Sequence, residues 1–383
     1  MNLLIAGLDG YLGWTLAQYL GKKGHEVSGI DNLSRRVWVR EMESQSAIPI
    51  EDISERMEAL EEINGVKIDF HRCDLEYDSL VERIVEDVKP DCIVHLGEQP
   101  SAPYSMKSIW HSKFTHKNNI NGTLSLLYAM KKYAPKCHLL KLGTMGEYGT
   151  PNIDIPEGFI NMNYKGRVDR LPFPKQANSW YHQTKVHDSN NIMFACKTWG
   201  LSSTDIMQGV VYGTRTTTKQ DPRLATRFDF DEAFGTAINR FCTQAVIGFP
   251  LTPYASGLMK RGFIALRDSM QCLEIAMNNP PEQGEYRVFN QFDEVYNIFQ
   301  LAEEVKKAGK KQGIDVEIKS IDNPRTEANS HYYNPESNKL RELGFKPTKT
   351  LQQELRVMLK DLIPYRERIE EKKDVILPKI RWK

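Results

Sequence analysis

The stretch NLLIAGLDGYLG, residues 2–13, decides the fold. Its first half is a short apolar run and its second half a glycine trio, Gly7-Leu-Asp-Gly10-Tyr-Leu-Gly13. The run is too short for a signal sequence or a membrane span, so it reads as a buried strand. Glycines spaced three apart let the chain turn tightly, bring backbone N–H groups close to a pyrophosphate and pack the next helix on the strand. The partial positive charge of that helix's N-terminus then faces the anion. A glycine trio alone is a weak sign. Here a strand precedes it, a helical pattern over 11–23 follows, and Asp31 closes the second strand 18 positions past Gly13. A carboxylate there suits a ribose diol, which favours NAD over NADP. Arg35 and Arg36 follow closely and would suit a 2′-phosphate, so NADP stays open. The contact set on this reading is Gly7, Asp9, Gly10, Tyr11, Leu12, Gly13, Asp31, Asn32, Arg35 and Arg36, with Asp74 and Leu75 beside the adenine.

Further strands are expected at 26–30, 67–71, 91–96, 138–142 and 203–207, each short and bounded by Gly, Asp, Pro or charge. Helical patterns over 78–87 and 119–133 separate them. Strand and helix in alternation imply parallel β-α-β units and a doubly wound α/β sheet of the Rossmann kind. ISERMEALEEI, with Ile53, Met57 and Leu60 at helical spacing, reads as an inserted helix that elaborates packing rather than a flap. After residue 209 the character changes to polar and basic strings, with a helix near 235–247. The expected division is a dinucleotide-binding domain over 1–207 and a smaller C-terminal α/β substrate-binding lobe over 208–383. Segments around 262–290 return to the first domain.

Composition excludes several classes. The 383 residues carry 51 Lys plus Arg against 50 Asp plus Glu, a balance without the basic excess of a nucleic-acid binder. No stretch nears the roughly 20 apolar residues that cross a bilayer. The six cysteines are scattered without a C-x-x-C pair, so neither zinc nor a disulfide framework is expected, and a reducing cytoplasmic setting fits.

The chemistry concentrates in NSWYHQTKVHD, residues 178–188. Tyr181 and Lys185 stand one helical turn apart and face the same way. Thr144 follows a strand, at the end of the sheet where this fold binds ligands. Beside a nicotinamide, these three make a hydride-transfer site. A phenol ionises near pH 10. Lys185 and the positive ring would lower that by about three units, for about 4 kcal/mol of differential interaction.

These residues resemble the extended short-chain dehydrogenases/reductases that act on nucleotide sugars. The resemblance rests on the glycine trio, Asp31-Asn32, Asn119-x-x-Gly122-Thr123, Thr144 and Tyr181-x-x-x-Lys185. More closely, His95-Leu-Gly-Glu-Gln, Ser101-Ala-Pro-Tyr-Ser-Met, Lys141-Leu-Gly-Thr-Met-Gly-Glu-Tyr-Gly-Thr-Pro, Gln208-Gly-Val-Val-Tyr-Gly, Phe234-Gly-Thr-Ala and Asn323-Pro-Arg resemble the UDP-sulfoquinovose synthases. The similarity runs to about residue 340.

The resemblance implies a reaction of UDP-glucose with sulfite, with NAD kept bound and recycled. It implies cofactor contacts at Leu96, Gly97, Glu98, Asn118, Asn119 and Gln208 as well. It implies sugar-nucleotide contacts at Gln99, Ser101, Tyr104, Thr144, Met145, Gln208, Asn239, Tyr254, Arg261 and Arg325, and no metal. A homodimer and a sulfite-delivering partner protein also belong to what it implies. The 4,6-dehydratases of the superfamily carry Thr-Asp-Glu, whereas Met145 and Gly146 follow Thr144 here. An uncharged opening leaves room for sulfite, and Glu147 and His182 are the candidates for moving the C5 proton. Two departures stand out: Pro100 where plant members carry arginine, and Met259-Lys260 where they carry Gln-Thr. The competing readings are a UDP-glucose 4-epimerase or a 4,6-dehydratase on the same scaffold, and a non-catalytic sensor of NAD or a sugar nucleotide.

Overall fold

The computed structural model describes residues 1–254, 259–324 and 331–382. Arg325, expected at the sugar nucleotide, lies outside the described residues.

Twelve strands are described: β1 (Asn2–Ala6), β2 (Glu26–Asp31), β3 (Ile68–Arg72), β4 (Cys92–His95), β5 (His138–Thr144), β6 (Phe159–Tyr164), β7 (Arg167–Pro172), β8 (Ser202–Gln208), β9 (Val210–Tyr212), β10 (Lys260–Ala265), β11 (Tyr286–Gln291) and β12 (Glu294–Asn297). Seven form one sheet in the order β11-β8-β5-β4-β1-β2-β3, and every pairing in it is parallel. Helices cover both faces, which is why the central strands are apolar without alternation: Leu3, Leu4, Ile5 and Ala6 are all fully buried. One face packs on helices Tyr11–Gly21, Ile53–Asn64 and Leu266–Asn278, and the other on Asp78–Val88, Gly122–Tyr133 and Trp180–Trp199. The six strands expected from sequence are β1 to β5 and β8.

The order reverses between β1 and β4, and the crevice at the carboxyl ends of the strands opens there. A second sheet, β12-β10-β9, and helices Ala237–Ile247, Ile298–Lys310 and Leu351–Leu362 share a separate core built on Phe241, Leu301, Val305, Leu355 and Leu359. β11 pairs with β8, so the chain crosses from this lobe back into the first sheet.

Among the elements without a counterpart in the sequence reading are a hairpin and a π-helical turn. β6 and β7 form an antiparallel hairpin whose turn, Lys165-Gly166, has positive φ at both residues (51° and 81°). A two-residue turn of this kind matches the twist of paired strands. The helix expected over 119–133 is preceded by one π-helical turn, Lys117–Asn121, which buries Asn118 and Asn119. Such turns recur at functional sites.

Candidate active site

The glycine loop leaves bare backbone at the crevice. A Cβ on Gly7 would lie 2.7 Å from the Leu96 carbonyl, and one on Gly13 would lie 2.0 Å from the Gly7 oxygen. Gly7 also adopts φ of 93°, a conformation that favours glycine. Gly7, Gly10, Tyr11, Leu12 and Gly13 border a cleft of about 350 Å³ that runs past Asp31, Asn32, Asp74, Leu75, Leu96, Gly97, Glu98 and Asn118 to Thr144, Tyr181, Lys185 and Gln208. A cradle that any side chain would fill, with an acidic residue at the end of β2, fits a bound dinucleotide.

Asp31 accepts hydrogen bonds from the backbone N–H of Asp9 (2.8 Å) and of Leu33 (2.6 Å). Burial, and next the charge of Asp9, push its carboxyl up to about 6. Asn32 donates to Asp74 at 2.8 Å. The two arginines suited to a 2′-phosphate are already engaged. Arg35 lies over the Phe234 ring (3.9 Å) and donates twice to Asp229 (3.1 and 2.7 Å). Arg36 forks onto both oxygens of Asp9 (2.8 and 2.9 Å), which also takes Arg56 at 2.7 Å. Asp9 and Arg36 therefore do not border the cleft; they brace the loop that does. Arg56 belongs to the inserted helix Ile53–Asn64, so that helix is an anchor for the glycine loop.

The residues expected to be catalytic gather at the far end. Ser179 caps helix Trp180–Trp199 by accepting from the His182 N–H (3.2 Å), which starts the helix where Tyr181 and Lys185 both face the cleft. Lys185 Nζ donates to the Leu142 carbonyl (2.6 Å) and lies 2.7 Å from Glu98 Oε2. It stands 6.0 Å from the Tyr181 ring centroid. Thr144 ends β5, and its Oγ1 accepts from the Gly146 N–H at 3.1 Å. Among the described residues, Thr144, Tyr181, Lys185, Ser101, Gln208 and Asn239 border one cleft as the sequence expects.

Other expected residues stand back from it. Glu147 is fully buried, with Lys141 at 3.4 Å, Lys175 at 2.5 Å and Ser189 donating at 2.9 Å. Burial alone would raise its carboxyl, but Lys141 and Lys175 overcome that and hold it at about 2. It stands behind the wall of the cleft and does not border it. His182 does not border the cleft, though Tyr181 before it does: Nδ1 meets Ser179 Oγ at 2.9 Å, and the ring packs so closely on Gly146 that a Cβ there would meet Nε2 at 2.3 Å. Asn119 and Gln99 are fully buried and bond each other through backbone and side chain (2.8 and 3.1 Å), fixing the loop after β4. Tyr104 is buried with its hydroxyl donating to Glu41 at 2.7 Å, and Met145 packs in an apolar cluster. Tyr254 meets Arg240 at 3.4 Å, and Arg261 on β10 donates to the Lys260 carbonyl. Neither borders the cleft.

Trp38, Pro100, Arg227, Asp229, Phe234 and Thr236 also border the cleft. The Arg227-Phe-Asp229-Phe pattern, alternating charge with aromatic rings, was the available sign for two of them. Among the described residues no group of acidic, histidine or cysteine side chains is arranged to hold a metal, and no helix is long and apolar enough to cross a membrane.

Comparison with known proteins agrees with this geometry. Residues 3–291 match the NAD dependent epimerase/dehydratase family. The UDP-sulfoquinovose synthase of Sulfolobus acidocaldarius is 49% identical across 100% of this chain and 98% of its own length. The chloroplastic UDP-sulfoquinovose synthase of Spinacia oleracea is 48% identical across 100% of this chain and 79% of its own length. Among solved structures, a UDP-glucose 4-epimerase from Stenotrophomonas maltophila with bound NAD superposes with a TM-score of 0.74 at 17% identity, covering 97% of this chain and 99% of the other. The Thermotoga maritima UDP-glucose 4-epimerase, with UDP-glucose, gives 0.70 at 21%, covering 94% and 98%. At such identities these two share the fold, whereas near-half identity over the full length is kinship, and the chain belongs to the NAD-dependent epimerase/dehydratase family and, within it, to the UDP-sulfoquinovose synthases.

Proposed function

We propose that this chain converts UDP-glucose and sulfite to UDP-sulfoquinovose. The observation that carries the proposal is the meeting of Thr144, Tyr181 and Lys185 at one end of a glycine-floored cleft, with no carboxylate at residues 145 and 146.

The glycine loop, Asp31, Asn32 and Asp74 hold NAD, with Lys185 at its nicotinamide end. Bound NAD would supply the hydride acceptor for C4 of the glucose and the hydride returned there at the end of the cycle. Tyr181 accepts the proton of the 4-hydroxyl and later returns it, and Thr144 hydrogen-bonds the same oxygen. A ketone at C4 makes the C5 proton acidic, because the carbanion left behind is an enolate. Expulsion of the C6 hydroxyl then leaves a 5,6-alkene conjugated with the ketone. The sulfur lone pair of sulfite adds at C6, and C5 takes a proton back. His182, packed on Gly146, is the group we assign to the C5 proton and the leaving hydroxyl. An imidazole can both take and give a proton, so it suits both transfers. Met145 and Gly146 put no negative charge beside the incoming anion; one carboxylate at contact distance would oppose it by about 1 kcal/mol even in water.

Asn239 and Gln208 face the sugar nucleotide within the cleft. Ile109 and Trp180 are exposed on adjoining helices, beside a shallow surface hollow that they both line. This helix pair is the face we assign to a homodimer. The six cysteines are all buried and unpaired, in keeping with a reducing compartment such as the cytoplasm.

The test is incubation of the purified protein with UDP-glucose, with and without sulfite, read by product mass. A sulfonated UDP-sugar that forms only with sulfite supports the proposal. Conversion of UDP-glucose to its 4-epimer without sulfite would replace it with an epimerase. Tyr181→Phe should lower turnover by roughly 10²–10⁴-fold while the protein still retains cofactor.

A further inference from the structure

Glu98 follows β4, and its side chain is almost wholly withdrawn from solvent. Its Oε2 lies 2.7 Å from Lys185 Nζ, the ammonium one helical turn beyond Tyr181. We propose that Glu98 is a positioning residue that cancels the field of Lys185, so that the charge of the cofactor, not the lysine, decides when Tyr181 ionises. The inference rests on the reading of Tyr181 as the base for the sugar hydroxyl.

A lone ammonium 6.0 Å from the phenol ring would favour phenolate whatever else was bound. With a carboxylate in contact the two charges form a dipole, whose field falls off faster with distance. Of the neighbouring groups Lys141 pulls the phenol down, but by less than Glu98 and Glu147 push it up. His95 on β4 has Nε2 at 3.4 Å from Glu98 Oε1 and 3.0 Å from Thr123 Oγ1. Burial holds it down at about 4, so it is neutral. Asp188, three residues beyond Lys185 on the same helix, is fully buried; burial first and Glu98 next push its carboxyl well up. Lys141 on β5 is positive, but Asp205 at 3.3 Å and Glu147 at 3.4 Å face it, and Lys175 faces Glu147. The phenol of Tyr181 is accordingly raised, by burial first and by Glu98 next.

The arrangement suits a cycle in which the ketone must outlast two further steps. With oxidised NAD bound, its positive nicotinamide ring would ionise Tyr181, which could then take the proton of the 4-hydroxyl. With the neutral reduced cofactor it keeps that proton. The proton needed for the final return to C4–O is then still in place, however long elimination and addition take.

The test uses the protein loaded with NAD or with NADH, without sugar or sulfite. Tyrosinate absorbance is followed against pH, and the same forms of Tyr181→Phe are subtracted. Failure of the sulfite chemistry would leave this readout intact. In the unmodified protein, the Tyr181 midpoint should lie at least about two pH units higher with NADH than with NAD. Glu98→Gln should lower both midpoints by about one unit or more, while Glu98→Asp, which keeps the charge, should stay within about half a unit. Equal midpoints with the two cofactors would overturn the proposal, as would a Glu98→Gln profile that overlies the unmodified one. If Glu98→Gln does not fold, Glu98→Ser, which also removes the charge, is read in its place against Glu98→Asp.

Discussion

Arg56 Nη1 lies 2.7 Å from Asp9 Oδ1, and neither side chain reaches solvent. One residue comes from the inserted helix and the other from the glycine loop, so the pair ties an embellishment of the fold to the floor of its cofactor site. The Arg56 guanidinium also lies over the Trp14 ring at 4.1 Å and donates to the Ala225 carbonyl. Breaking a buried pair from one side leaves a charge without its partner, at about 3–5 kcal/mol. Asp9→Ala strands Arg56 and frees Arg36, so it should lower the thermal midpoint and release bound NAD on gel filtration. Arg56→Met should cost less, because Asp9 keeps Arg36 and the thioether fills the space over Trp14.

On the proposed function His182 takes the C5 chemistry that the sequence left shared with Glu147, and Glu147 braces the fold. Glu147→Gln removes the negative partner of Lys141 and Lys175 and should lower stability by several kcal/mol. Folded enzyme should nevertheless exchange the C5 proton of the substrate with deuterated water at close to the unmodified rate. His182→Gln should slow that exchange by roughly 10²-fold or more at little cost in stability. The carboxyl of Glu147 is held at about 2 against an ordinary 4.5, so its ionised form stabilises the native state. That contribution is complete above about pH 4.5 and is lost as pH falls through about 2. The unmodified protein should therefore lose stability on acidification across that window more steeply than Glu147→Gln, as read by thermal melting at each pH.

The sheet and the cofactor floor were legible in the sequence because they rest on local signals. Short buried strands punctuated by glycine and acid give a parallel sheet, and a glycine trio between strand and helix gives its ligand. The triad of Thr144, Tyr181 and Lys185 was legible for the same reason, since helical spacing alone aligns the last two. Pairings across the chain were not legible. Arg36 and Glu147 are polar residues near the right motifs, and sequence cannot tell a side chain aimed at a ligand from one turned to a buried partner. Asp9 lies 47 residues from Arg56, and Lys175 lies 28 residues from Glu147. Pro100 illustrates the converse: where the resemblance implies an arginine, an uncharged residue borders the cleft.

Glu157 carries the opposite pH signature. It precedes β6, is 5% exposed, and has the Lys339 N–H donating at 3.3 Å and Lys339 Nζ at 3.9 Å. That is too little to offset its loss of water, so burial pushes its carboxyl up to about 7 from 4.5, with Lys339 pulling back only in part. A carboxyl raised on folding favours the native state while protonated. Its contribution is complete below about pH 4.5 and disappears as pH rises through about 7. Glu157→Gln keeps the shape without the charge. It should match the unmodified protein in thermal midpoint at pH 4 and exceed it at pH 8, by up to about 3 kcal/mol in unfolding free energy. Equal midpoints at pH 8 would mean that water or Lys339 already satisfies the carboxylate, and the raised value would have to be abandoned.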